Sequence, residues 1–237
     1  GSALWRDQRQ SAGTQPVRSA GLTGSRPALS ELANCQRCPR LVDLRRVVRA
    51  RHPDYHAAPV PPSGPRNARL LIVGLAPGMH GANRTGTPFT GDASGTFLFR
   101  ALHKAGYAST ADANSARLLG ARITNAVKCL PPENRPIAAE INNCASYLAS
   151  ELEQLTGQRP RRNPVVLCLG NLAHDALSRV LDDRLPAFRH AQRSQTYRPR
   201  LWAVDTYHPS RLNTNSGRLS EDMLDDVLVQ ISDLLDD

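Results

Sequence analysis

The sequence predicts an α/β protein: a three-layer α/β/α sandwich around a four-stranded parallel sheet. Three observations predict it. Short apolar runs alternate with amphipathic stretches between residues 69 and 235, an alternation that builds a parallel sheet covered on both faces. The runs are continuously apolar, as strands buried on both sides are. Polar, Gly-rich or His-bearing segments follow the runs, at the strand ends where open α/β sheets bind their ligands.

The elements follow in order. Residues 1–27 are rich in Gln, Ser, Gly, Thr, Pro and Arg, which reads as a flexible N-terminal tail; residues 28–237 read as a single domain. Leu29 to Ala50 reads as helical, interrupted from Cys35 to Pro39. Five prolines between 52 and 68 predict an extended linker on the surface. Arg69 to Leu75 (RLLIVGL) is the first strand, followed by a polar, Gly-rich loop over 76–93. Phe97, Leu98, Ala101 and Leu102 place a helix over 94–106, with Ser94 as candidate N-cap and Gly106 as its stop. Arg122 to Val127 is the second strand, and Pro136 to Leu155 a helix with Pro136 in its first turn. Pro164 to Leu169 is the third strand and Asn171 to Leu181 the next helix. Leu201 to Thr206 is the fourth strand. Ser220 caps a last amphipathic helix to Leu235, with acids in its first turn.

Composition narrows the function. Of 237 residues, 40% are apolar and 22% charged, which excludes a wholly disordered or fibrous chain. No run approaches ~18 apolar residues, so no membrane partner is expected. The opening shows no charged-then-apolar leader, so the expected location is cytoplasmic. The formal charge is +9, and all basic residues except Lys104 and Lys128 are arginine. Residues 220–237 hold seven acids and no Lys or Arg, so the rest is more basic than the total. A high-GC genome explains Arg over Lys but not the sign. The sign points to a polyanionic partner, most simply nucleic acid. No obligate protein partner is implied.

Cys35, Cys38, Cys129, Cys144 and Cys168 make an odd count, which argues against a disulfide framework in a chain without a secretory leader. Cys35 and Cys38 form a C-x-x-C turn; Cys129 follows the second strand and Cys144 lies on the next helix. Four thiolates in two sequence-close pairs suit sulfur coordination of zinc or an iron–sulfur cluster. Cys168 sits inside an apolar run and reads as a buried core thiol.

Three ordered segments are more specific: GLAPGMHGANRTGTPFTGDASG (74–95), TNAVKCLPPENRP (124–136) and YHPSRLNTNSGRLS (207–220). Together they resemble the uracil-DNA glycosylase superfamily, and the four cysteines match its iron–sulfur branches. The GLAPG opening and the HPSRLNTNSGRLS ending are similar to family 5. Family 4 would carry an acidic residue where this chain has Ala76. The resemblance implies a [4Fe–4S] cluster held by Cys35, Cys38, Cys129 and Cys144. It also implies hydrolysis of the N-glycosidic bond of uracil, and of other deaminated bases such as hypoxanthine, in DNA, the first step of base excision repair.

That reaction needs donors at the leaving base, negative charge near an oxocarbenium-like sugar, and a positioned water. The base must also be flipped from the stack. On these grounds His208 is the candidate donor to the base oxygen, its backbone restrained by Pro209. Asn125, an amide in a buried strand, must be hydrogen-bonded; the resemblance makes it the reader of the base edge. Asp92 has two readings: orienting water or the sugar cation, or capping the 94–106 helix. His80 and Asn83 stand in reserve. Phe89 is the candidate stacking ring, and backbone at Leu75, Ala76 and Gly78 lines the base. Leu212 is the candidate wedge into the vacated stack, with Arg211 and Arg218 on phosphates. The rival reading is a non-catalytic iron–sulfur protein that binds nucleic acid or carries electrons.

Overall fold

The computed structural model describes residues 29–157, 163–197 and 199–237. The tail expected over 1–27 lies outside them. The strands are β1 (Leu70–Gly74), β2 (Ala121–Asn125), β3 (Val165–Leu169), β4 (Arg193–Tyr197) and β5 (Arg200–Thr206). The helices are α1 (Pro39–Arg51), α2 (Ala82–Thr85), α3 (Ala93–Lys104), α4 (Ala138–Thr156), α5 (Asn171–Val180), α6 (Arg211–Asn215) and α7 (Glu221–Asp236).

The sheet runs in the order β2-β1-β3-β5-β4. β2, β1, β3 and β5 are parallel, as the apolar runs predict, and every residue of β1 and β3 is buried. The sheet has five strands, not four. β4 pairs antiparallel with β5 at the edge. Its sequence, RSQTY, is polar and mostly accessible, so it carries neither period of a half-buried strand. Its polar side chains suit an edge that must not recruit other chains.

Alternate residues of β1 face opposite layers. Leu70 and Ile72 join a core with α3 and α7 residues such as Leu98, Leu102, Leu228 and Ile231. Leu71 and Val73 join a second core with Leu41 of α1, Leu148 of α4 and Leu177 of α5. That is the three-layer sandwich. Cys168 is fully buried in β3, as expected of a core thiol.

Local details differ from the sequence expectation. Asp92, not Ser94, caps α3: its Oδ1 accepts the Gly95 N–H at 2.9 Å. Pro136 precedes α4 instead of lying in its first turn; Ile137 is the N-cap, and Glu140 accepts its N–H at 2.9 Å. The Pro-rich segment 52–68 is extended but not wholly on the surface. Ala57 and Val60 are buried, the Val60 N–H donates to Lys128 O at 2.7 Å, and Ser63 bridges Ile123. Ser220 caps α7, accepting the Met223 N–H at 3.2 Å.

In this strand order the chain leaves β1 for β2 and crosses back to β3. The C-terminal ends of β1 and β3 therefore flank a topological switch point, the usual ligand crevice.

Candidate active site and cysteine cavity

The crevice is built on the last residues of β1 and β2. Gly74 and Asn125 are register partners. The ladder continues past them: Ala126 N–H donates to Gly74 O and Val127 N–H to Leu75 O, at 2.8 and 2.9 Å. Gly74 is there for space. A Cβ on it would lie 2.6 Å from Asn125 Oδ1 and 2.6 Å from the Phe89 ring. The Asn125 amide and the Phe89 ring therefore meet over a bare backbone.

Phe89 is held in an unusual backbone state, with φ 56°, a left-handed conformation that costs a bulky residue strain. Its carbonyl packs onto Gly95, where a Cβ would sit 2.0 Å away. The Phe89 ring then lies 5.8 Å from the imidazole of His208, centroid to centroid. One aromatic ring thus touches the surroundings of both Asn125 and His208, which stand on the same side of the sheet end.

His208 follows β5 by two residues. Its carbonyl accepts Asn213 Nδ2–H at 2.8 Å, so α6 fixes the loop. Gly170, after β3, lets it approach; a Cβ there would be 3.3 Å from His208 Cβ. Burial pushes the imidazole below its ordinary value, and the Asp92 carboxylate pulls the other way. Burial prevails, so the ring is neutral at pH 7, with one N–H to donate.

Asp92 takes up its capping reading with one of its two oxygens. Oδ1 is the cap of α3. Oδ2 turns toward the 78–81 loop, where Cβ atoms on Gly78 and Gly81 would lie 3.5 and 2.1 Å from it. Leu75, Ala76 and Gly78 are partly accessible along the same loop. The reserves fasten that loop instead. His80 Nδ1 bonds the Tyr55 hydroxyl at 2.8 Å, and Asn83 is buried.

The arginines and leucine expected at DNA stand beyond this centre. Leu212, on α6, is 80% exposed, extreme for its type. Arg211 lines an open groove that also contains Asp92. The Arg218 guanidinium lies 5.1 Å over the Tyr207 ring.

Cys35, Cys38, Cys129 and Cys144 line one cavity under α1 and α4. The walls are tied together by Arg40, which makes two 2.8 Å bonds to Glu140. Burial pushes the Cys129 thiol up to about 12 and the Cys144 thiol up to about 11. Two donors reach the sulfurs: Asn143 Nδ2 at 3.6 Å from Cys38 Sγ, and the Lys128 backbone N–H toward Cys144. Among the described residues, no group of three or more His, Cys, Asp or Glu is arranged to hold a single metal ion.

Comparison with known proteins decides what this arrangement belongs to. Residues 61–231 match the model of the "Uracil DNA glycosylase superfamily". A type-5 uracil-DNA glycosylase of Pyrobaculum aerophilum is 44% identical over 84% of this chain and 88% of its own length. One of Thermus thermophilus is 42% identical over 84% and 93%. A type-4 enzyme of Pyrobaculum aerophilum falls to 31% over 76% and 79%. The chain belongs to the uracil-DNA glycosylase superfamily, in its type-5 family.

Several residues that shape this type-5 family member's site have roles that motif reading does not reveal. Gly74, Gly95 and Gly170 act only through what a Cβ would strike. Asn213 holds His208 through its backbone. Its signal was its place five residues after the histidine, at a helical turn, but such a spacing means nothing until the turn is known.

Proposed function

We propose that this chain is a DNA glycosylase that hydrolyses the N-glycosidic bond of uracil in DNA, and also releases other deaminated bases such as hypoxanthine. The observation that carries the reading is the meeting of Asn125, Phe89 and His208 at the ends of β1, β2 and β5. Asn125 offers an amide with both a donor and an acceptor to an everted base. Phe89 offers its ring as a stacking surface for that base. The neutral His208 imidazole donates to the oxygen on which negative charge grows as the bond breaks. Asp92 Oδ2, free of the capping role of Oδ1, supplies negative charge for the sugar cation and a handle for the attacking water. Leu212 fills the gap left by the everted nucleotide, and Arg211 and Arg218 hold phosphates. Ala76 takes less room than a carboxylate, which supports breadth toward larger purines.

The cysteine cavity fits a [4Fe–4S] cluster: its donor set is four sulfurs from Cys35, Cys38, Cys129 and Cys144. When bound, the cluster supplies a cross-link, since glycoside hydrolysis transfers no electrons. Through Cys38 it joins the start of α1 to Cys129 after β2 and Cys144 of α4. No described helix is long and apolar enough to cross a membrane; the repair role proposed here would be carried out at the nucleoid, in the cytoplasm.

The test is uracil release from a duplex by iron-replete protein, with a hypoxanthine duplex alongside. Abasic sites are expected in both. No abasic site in the uracil duplex overturns the glycosylase reading in favour of a binding or redox protein; release of uracil alone overturns the breadth. Cys129→Ser is expected to lose bound iron and lower Tm, whereas full iron content in a stable variant removes Cys129 from the ligand set. Gly74→Ala is a sharper check on the site. Its new methyl must displace the Asn125 amide or the Phe89 ring, and a shift of ~1 Å in such a group costs on the order of 10²-fold in rate. Wild-type turnover in Gly74→Ala would mean that these two groups do not meet the base.

A further inference from the structure

Beside the candidate active site runs a wide open groove between α3, the 113–114 loop and α6. Its volume is about 610 Å³, within the ~300–1,000 Å³ range of ligand sites. Three arginines line it: Arg84 of α2, Arg100 of α3 and Arg211 of α6. Asn114 and Asn215 add amide donors, and Asp92 stands within it. No catalytic step described above uses Arg84, Arg100 or Asn114.

We propose that this groove is the track for the phosphate backbone of the DNA strand that carries the target nucleotide, held by Arg84, Arg100 and Arg211. The proposal rests on the glycosylase reading and says where its polymer lies. Its geometry suits a strand better than a compact anion. Asp92 and Arg100 are eight residues apart along α3, ~12 Å along the axis. At 3.4 Å of rise per nucleotide on one strand, that is room for roughly three nucleotides beyond the everted one. The Arg84 guanidinium is pre-positioned: its Nε–H donates to His80 O at 2.8 Å, leaving its other donors for a ligand. Arg100 pairs at 3.5 Å with Glu221 of α7, both exposed. A phosphate entering the groove competes with that carboxylate for the same guanidinium. Glu221 thus marks the far bank of the track, where α7 turns the surface acidic.

The experiment measures binding of a short fluorescein-labelled duplex, bearing a tetrahydrofuran abasic analogue, across a salt series. Arg100→Gln removes one phosphate contact; the slope of log K against log salt is expected to fall by ~0.9. Thr96→Glu places a carboxylate in the groove at an exposed position in the first turn of α3, where acids are tolerated; it is expected to weaken binding at least tenfold. Glu221→Gln breaks the same pair as Arg100→Gln but keeps the cation, and is expected to bind as tightly as wild type or tighter. Unchanged slope in Arg100→Gln with unchanged affinity in Thr96→Glu overturns the track. So does Glu221→Gln weakening binding as much as Arg100→Gln, because the pair would then act structurally. Uracil release by the wild type from a matched duplex separates the two readings: excision with unaltered variant binding rejects the groove alone. Absent excision with a reduced slope rejects the glycosylase and keeps the groove as a DNA site.

Discussion

His208→Ala lowers the single-turnover rate of uracil excision by ~10²–10³-fold, the loss of one preorganised donor at a developing oxyanion. Duplex affinity changes little, because the charge that the imidazole meets exists only as the bond breaks. The structure gives the reason for so large an effect from one ring. His208 is pinned by Asn213 through its carbonyl and seated over Gly170, so no reorganisation is needed as charge develops. Burial keeps the ring neutral. The pH consequence has a definite sign. Above its ordinary value of 6.5, the ring is neutral folded and unfolded, and the term vanishes. As pH falls below that value the unfolded chain takes up the proton first, so this residue makes the fold less stable in acid. His208→Ala is therefore expected to lose part of the acid sensitivity of Tm while losing most of the turnover. A variant with wild-type turnover would remove His208 from the chemistry.

Lys128→Met is the largest expected loss of stability. The Lys128 ammonium is fully buried, 2.6 Å from Glu151 Oε1 and 2.5 Å from Thr124 Oγ1. The second oxygen, Glu151 Oε2, is buried with no hydrogen bond. Removing the cation strands a carboxylate in the core, a cost of about 3–5 kcal/mol. For a domain of this size that lowers Tm by roughly 10 °C. Replacing both partners, as Lys128→Met with Glu151→Leu, is expected to recover most of the loss, because the desolvation of two charges disappears with them. Thermal unfolding of the three variants checks this; a single variant as stable as wild type, or a double variant worse than Lys128→Met, contradicts it. The position magnifies the effect. Lys128 lies three residues after Asn125 and immediately before Cys129, and its carbonyl accepts the Val60 N–H. The pair braces the short segment that joins Asn125 to the cysteine cavity.

What could be read in the sequence follows from what each residue depends on. β1 and β3 are legible because a strand buried on both faces must be apolar throughout. Asn125 and His208 are legible because polar groups at the ends of such strands have few uses other than a ligand site. Asp92 was ambiguous because an aspartate before a helix suits a cap as well as a site; the structure shows the cap, through Oδ1. β4 was missed because an edge strand of Arg, Ser, Gln, Thr and Tyr has no face that the core demands. The buried positions of segment 52–68 were missed because prolines report extension and not depth. Arg84 and Arg100 were lost among the other arginines, since only tertiary packing sets them beside Asp92. The glycines under Phe89 and His208 were visible as letters, but their neighbours come from distant segments.

The acidic α7 helix, packed along α3, gives the molecule a lopsided electric field. A nucleic acid at a distance of one Debye length, ~8 Å in physiological salt, already exerts a torque on such a particle. It swings the C-terminal flank outward and the strand ends inward before any atom touches. Random tumbling is thereby biased, and fewer collisions are wasted on the wrong side.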